Sequence, residues 1–199
     1  LGLLADELDQ TLKLDSLLPG KERKGIIRHL YSKQVRWIAL MLLIGLSVVI
    51  GLNRFHTWRV ERAYDLTNEG VVLVGQSAYT EAKEKFTQAL NYNPNYGEPF
   101  YQLAEIYRLS DQQQAIEAYQ QAIACDNEKA LYHYRLGNLL ISFPERHAEA
   151  KKHLELAIKY DDEYAEAYND LGYLLILIDR RREAEILLER GLLLNTASV

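Results

Sequence analysis

Five histidines (His29, His56, His133, His147 and His153) and one cysteine (Cys125) are the side chains of this chain best suited to metal binding or nucleophilic chemistry. A structural zinc site takes four nitrogen or sulfur ligands at short spacings, and a lone thiol with scattered imidazoles does not supply them. Glu149 and His153 stand four apart and so share one helix face, the spacing of an ordinary surface pair. Cys125 falls near the end of a helix, where a small apolar residue is commonplace. The carboxylate run Asp161-Asp162-Glu163 sits where a helix should end, a solvated place. Neither a glycine-rich phosphate loop, a GxSxG elbow nor an HExxH pair occurs. The expectation is a protein that is not an enzyme, with no catalytic residue, no cofactor and no metal. Its function must then reside in surfaces, and the elements that build them come next.

The stretch Trp37–Leu52 (WIALMLLIGLSVVIGL) carries no charge, and Ser47 is its only hydrogen-bonding side chain. As a helix it measures about 24 Å, somewhat short of a hydrocarbon core of about 30 Å. Arg36 and Arg54 at its ends can cover the difference by snorkelling. Tyr31 and Trp37 on one side, with Phe55 and Trp58 on the other, are spaced like an interfacial aromatic belt. The sequence therefore predicts a transmembrane helix over residues 37–53. Trp37, Ser47, Gly51 and Trp58 are its candidate membrane residues, and Ser47 and Gly51 form a small-xxx-small pair that would admit a second helix.

Charge divides unevenly about this segment. Residues 1–62 carry +4 and the remainder −9, for a net of −5. An acidic C-terminal part excludes nucleic acid as partner, since phosphate needs cations. Residues 1–20 place Leu4, Leu8 and Leu12 on one helical line and end at Pro19-Gly20, an amphipathic segment. Residues 21–36 form a basic juxtamembrane segment suited to anionic lipid. Six basic residues precede the span and three follow it (Arg54, Arg59, Arg62), which favours a cytoplasmic N-terminus. The C-terminal domain would then be extracytoplasmic, in the periplasm if the source is bacterial. A linker helix is expected over 54–62.

From about Ala63 the sequence repeats. Gly70, Ala104, Gly137 and Gly172 recur at intervals of 33–35, and so do Ala82, Ala115, Ala150 and Ala184. Phe86, Tyr119, Leu154 and Leu188 follow the second series by four. Ala89, Ala122, Ala157 and Gly191 come three later, and the helix is expected to end at Pro94, Asn127, Asp162 and Thr196. Small residues let two antiparallel helices approach, and the bulky residue fills the space beside them. One such pair cannot bury its own apolar face, so neighbours must stack.

This register resembles the tetratricopeptide repeat (TPR) family, over residues 63–199, in units of about 63–96, 97–129, 130–164 and 165–199. The resemblance implies an all-α chain: one N-terminal transmembrane helix, then an α-solenoid whose first helices line a groove for peptides or proteins. Projected onto this sequence, the groove takes Tyr64, Thr67 and Val71, then Tyr101, Glu105 and Arg108, then Tyr134, Asn138 and Ile141, then Asn169, Tyr173 and Ile176. The places matching the basic clamp of chaperone-binding members (Thr67, Val71, Leu131) lack its Lys and Asn residues, which disfavours a chaperone tail as ligand.

The last unit is more apolar than the others, with Leu187, Leu188, Leu192, Leu193 and Leu194 as an apolar end surface. A solenoid usually ends on a polar face. The expectation is that the chain continues past Val199 or that another subunit covers this end. Together these features predict a membrane-anchored protein–protein interaction scaffold, assembly factor or accessory subunit of a larger membrane complex. Its partners would be proteins, with lipid met through the single span. The alternative is a receptor or co-chaperone for unfolded or targeting peptides. A third possibility is part of an enzyme whose catalytic domain lies elsewhere.

Overall fold

A computed structural model describes residues 20–197, with side chains from Ser32 to Thr196. The amphipathic segment expected over 1–20 lies, but for Gly20, outside the described residues. Among the described residues eight α-helices follow in order: α1 Gly20–Gly75, α2 Tyr79–Tyr92, α3 Gly97–Tyr107, α4 Gln112–Cys125, α5 Ala130–Leu140, α6 His147–Tyr160, α7 Ala165–Leu177 and α8 Arg181–Ala197. A 3₁₀ turn, Pro144–Arg146, leads into α6. No strand occurs among the described residues. The chain is all-α, and it divides into two compact units, one up to Thr57 and one from Trp58.

In the first unit every side chain from Lys33 to Thr57 is exposed. The helix here is long and apolar enough to cross a membrane. Its one interior hydroxyl is satisfied locally, since Ser47 Oγ donates to Ile44 O at 2.8 Å. Such a bond leaves no orphaned polar group on an otherwise apolar helix surface. A Cβ on Gly51 would meet nothing within 4 Å.

The second unit is a stack of helical hairpins. Helices α3 and α4, α5 and α6, and α7 and α8 pair closely, and α2–α3, α4–α5 and α6–α7 join one pair to the next. The repeated small residues make these crossings. A Cβ on Gly70 would lie 2.5 Å from the Phe86 ring, one on Gly137 2.8 Å from Leu154, and one on Gly172 2.7 Å from Leu188. Ala82, Ala115, Ala150 and Ala184 are all buried, as are Phe86, Tyr119 and Leu154.

The second helices of the first three units end one or two residues before the expected positions. Asn93, Asp126 and Asp161 close α2, α4 and α6, each with an extended backbone whose N–H donates to Ala89, Ala122 or Ala157 O. Their side-chain oxygens accept from the N–H groups of Asn95, Glu128 and Glu163. The stop is thus an Asx turn at the residue before Pro94, Asn127 and Asp162. Thr196 does not stop the fourth unit: it lies inside α8, where its hydroxyl donates to Leu193 O.

The first unit differs from the others on one face. Pro99, Tyr132 and Ala167 occupy one register position in units two to four, and Leu103, Leu136 and Leu171 another; all six are buried. In the first unit these positions are Asp65 and Glu69, both exposed, with Glu69 paired to Lys85 at 2.5 Å. The leading face of the stack therefore carries two carboxylates where later units have buried apolar residues, with Val72 exposed at the position of buried Leu139 and Leu174. Behind it, Arg59 donates to Asn91 O at 3.0 Å and Trp58 meets Tyr92 edge-on at 5.6 Å.

Candidate protein-binding site

The first helices of units two to four bring tyrosines and charged groups together. Glu105 on α3 is the hub. Tyr119 Oη donates to its Oε1 at 2.5 Å, and the Arg135 and Arg108 guanidinium nitrogens lie 3.5 and 3.7 Å from its carboxylate. Burial, helped by that bond to Glu105, drives the Tyr119 hydroxyl far above its ordinary pKa. Arg135 also lies over the Tyr134 ring at 5.7 Å, and Tyr134 packs on Tyr164 at 4.8 Å. Asn138 Nδ2 donates to Asp170 Oδ2 at 2.8 Å, so α5 and α7 are tied as α3 and α5 are.

The expected groove residues separate into two groups. Glu105, Arg108, Tyr134, Asn138 and Ile141 are half-buried, and Tyr64, Val71, Tyr173 and Ile176 are exposed. These keep side-chain surface for a partner. Tyr101 is instead buried, stacked on Tyr132 at 5.5 Å and 6.3 Å from Tyr119. Thr67 is buried too, its hydroxyl donating to Ala63 O at 2.7 Å. Asn169 lies against Gly191, where a Cβ would stand 2.3 Å from its carboxamide oxygen.

Sequence reasoning missed Arg135 and Asp170. Both stand two places before the small register residue (Gly137, Gly172), and that position joins the groove because its side chain reaches across to the neighbouring unit. It missed a histidine pair as well. His133 Nδ1 is 3.0 Å from His153 Nδ1, and His133 Nε2 is 3.1 Å from Asn127 O. A carbonyl only accepts, so Nε2 of His133 carries the proton and its Nδ1 accepts from His153. Tyr160 stacks on His133 at 5.5 Å. Among the described residues no three His, Cys, Asp or Glu gather as a metal set would require. Cys125 is half-buried, and burial pushes its thiol pKa up, away from the reactive thiolate.

At the other end of the stack, Leu192 and Leu193 are exposed, while Leu187, Leu188 and Leu194 are half-buried. Ile176, Arg181, Glu185, Leu188, Glu189 and Leu192 line an open groove of about 730 Å³. Ile186 adds a further exposed aliphatic side chain on the same helix.

No family model matches the chain, and no curated protein matches it. Solved structures do. The crystal structure of MamA aligns with a TM-score of 0.62 and 23% identity, over 68% of this chain and 80% of that one. PilF of Pseudomonas aeruginosa aligns with a TM-score of 0.62 and 24% identity, over 69% of this chain and 63% of that one. YrrB, described as a TPR protein with an unusual peptide-binding site, aligns with a TM-score of 0.57 and 23% identity, over 75% of this chain and 80% of that one. The fold of the second unit is the TPR fold.

Proposed function

We propose that this TPR-fold chain is a membrane-anchored scaffold, acting as an assembly factor or accessory subunit of a larger membrane protein complex. The apolar helix fixes it in the bilayer, with the N-terminus cytoplasmic and the TPR domain extracytoplasmic. Anchoring in the plane of the membrane raises the effective concentration of partners, so each contact can be individually weak. The observation that carries the reading is the exposed apolar surface on α7 and α8. Ile176, Leu192 and Leu193 are exposed there, and Ile176 and Leu192 line an open groove, while the exposed Ile186 lines the crevice against α6. Leaving such side chains in water forgoes roughly 1.5–3 kcal/mol each.

Extraction in mild detergent, native sizing and mass spectrometry of co-migrating proteins tests this. A stable particle well above 23.0 kDa plus micelle, with the same co-migrating proteins lost on Leu192→Glu, is the expected result. A monomer that carries nothing overturns it.

A second reading, a receptor for extended peptides, has its own support. The Nε atoms of Arg108 and Arg135 are buried 3.7 and 3.5 Å from the Glu105 carboxylate, while the two side chains keep about a third of their surface exposed. A peptide carboxylate laid along the groove would meet that exposed guanidinium surface. Loss of peptide binding on Arg135→Gln, with native size unchanged, would favour this reading over the first.

A further inference from the structure

The outward faces of the second helices change character along the stack. On α8, Arg182, Ile186, Arg190 and Leu193 recur every three or four residues and form one line, opposite the buried Ala184 and Gly191. One repeat back, the same line on α6 carries Lys152, Leu156 and Lys159. Two and three repeats back it carries Glu117 on α4 and Glu84 on α2, with uncharged polar residues or alanine at the other places. Every side chain on these lines is exposed except the half-buried Leu156. That holds in the first three units although a further unit is stacked on each. The exposure of Ile186 (68%) and Leu193 (61%) is therefore set by their place in the repeat.

The ion pairs sharpen the contrast. Residues 144–197 hold eight Lys and Arg. Arg146, Lys151, Arg180 and Arg181 pair with Glu149, Glu155, Glu183 and Asp179. Lys152, Lys159, Arg182 and Arg190, the four on the outward lines, form no ion pair among the described residues, and Lys159 has only the Tyr160 ring at 5.4 Å. Of the carboxylates bordering the lines, Glu149, Glu155 and Glu183 are thus answered by their own cations, and Glu189 is the exception. Glu145 and the run Asp161-Asp162-Glu163 sit in the turns at the two ends of α6. The two lines lie side by side, since Ile158 of α6 and Ile186 of α8 line one crevice.

Resting on the membrane-anchored reading above, we propose that the outer face of α6 and α8 binds an anionic lipid surface. The four cations meet headgroup phosphates while their stems lie along Leu156, Ile186 and Leu193. Those aliphatic side chains enter the boundary between headgroups and acyl chains. An acidic protein surface would answer the cations and leave the aliphatic residues in water. A lipid surface uses both, and an anchored chain is never far from one.

The test reconstitutes the full chain in phosphatidylcholine nanodiscs and floats it with vesicles on a density gradient. Co-flotation is expected with vesicles holding about 30% phosphatidylglycerol and not with phosphatidylcholine alone, and it should weaken at least tenfold between about 0.05 and about 0.5 M salt. A cation near such a surface is worth about fivefold in binding, so Arg182→Gln with Arg190→Gln should weaken it about 25-fold. Ile186→Ser with Leu193→Ser should weaken it about tenfold or more. These four side chains are exposed, so the variants keep the fold, which an unchanged Tm checks. Lys83→Gln with Lys129→Gln removes the same charge elsewhere and should change binding by less than about twofold.

Equal flotation with the two kinds of vesicle, or an equal loss in the Lys83 and Lys129 variant, overturns the proposal. So does absence of flotation; if the α8 variants then shed co-migrating proteins, the occupant is an acidic protein surface. A chain that fails to enter nanodiscs sinks the anchored reading and the proposal with it. One that enters them and ignores anionic vesicles sinks the proposal alone.

Discussion

His133 and His153, on the two helices of the third unit, share a single proton between their Nδ1 atoms at 3.0 Å. The bond works only while His133 is neutral, because its Nδ1 must accept. Burial lowers the pKa of both, that of His153 to about 4, with the neighbouring His133 the next cause. Glu149 opposes the shift, while Lys152 and Arg146 add to it.

Between pH 6.5 and about 4 the unfolded chain therefore binds protons that the folded unit refuses. Stability contributed by the pair is complete above pH 6.5 and lost as the pH falls toward 4. Thermal melts of the chain at pH 7.5 and 5.0 should show a clear fall in Tm on acidification. In His153→Gln, which keeps a donor and no longer titrates, that fall should be distinctly smaller. Equal pH slopes for the two proteins would contradict the assignment.

Gly70 and Gly51 stand on the same helix and should respond oppositely to a methyl group. Gly70→Ala drives a Cβ into the buried Phe86 ring at 2.5 Å, and overpacking of this kind costs about 1–3 kcal/mol. The usual helix gain of Ala over Gly, about 1 kcal/mol, only partly offsets that. Gly51→Ala meets open space and should not lower stability. Chemical denaturation of both variants reads the contrast directly.

Ser77 and Asp179 close the first helices of units one and four with φ of 61° and 60°, the left-handed region that glycine adopts without strain. Ser77 N–H donates to Val74 O and Asp179 N–H to Ile176 O, so the turn is held whatever the side chain. Ser77→Gly and Asp179→Gly should each stabilise by about 0.5–1 kcal/mol. Asp179 also pairs with Arg181 at 3.3 Å, but both side chains are at least 80% exposed, and such pairs contribute little. A lowered Tm in either variant would contradict the argument.

Tyr119→Phe removes the hydroxyl that donates to Glu105 and should cost about 1.5–3 kcal/mol, as expected for a hydrogen bond to a charged group. Combined with Glu105→Gln it should cost less than the sum of the two singles, since both remove one interaction. Strict additivity would place Tyr119 outside the groove network.

The repeat was legible in sequence because close packing restricts residue size at fixed intervals. Gly70, Gly137 and Gly172 admit no Cβ, and Ala115 or Ala150 admits no more than one. The helix stops were read one residue late, since Pro94 catches the eye while Asn93 makes the hydrogen bond. The groove was only partly legible. Tyr101 and Tyr134 hold the same register position, yet one is buried against Tyr132 and the other half-exposed beside Tyr164. That difference comes from neighbours some 30 residues away, which a single helix period does not encode. The His133–His153 pair escaped for the same reason: twenty residues separate the partners, and Glu149 at i−4 looked the nearer match.

Trp58 rests edge-on against Tyr92 at the first residue of the TPR unit, and the chain has only one other tryptophan, Trp37. Replacing Trp37 by Phe would leave a single native fluorophore at the place where the repeat stack begins. Its emission would shift when α2 leaves its seat on α1, whatever happens further along. Such a chain carries its own optical readout of the first unit, and bound partners could be scored by light without attaching a dye.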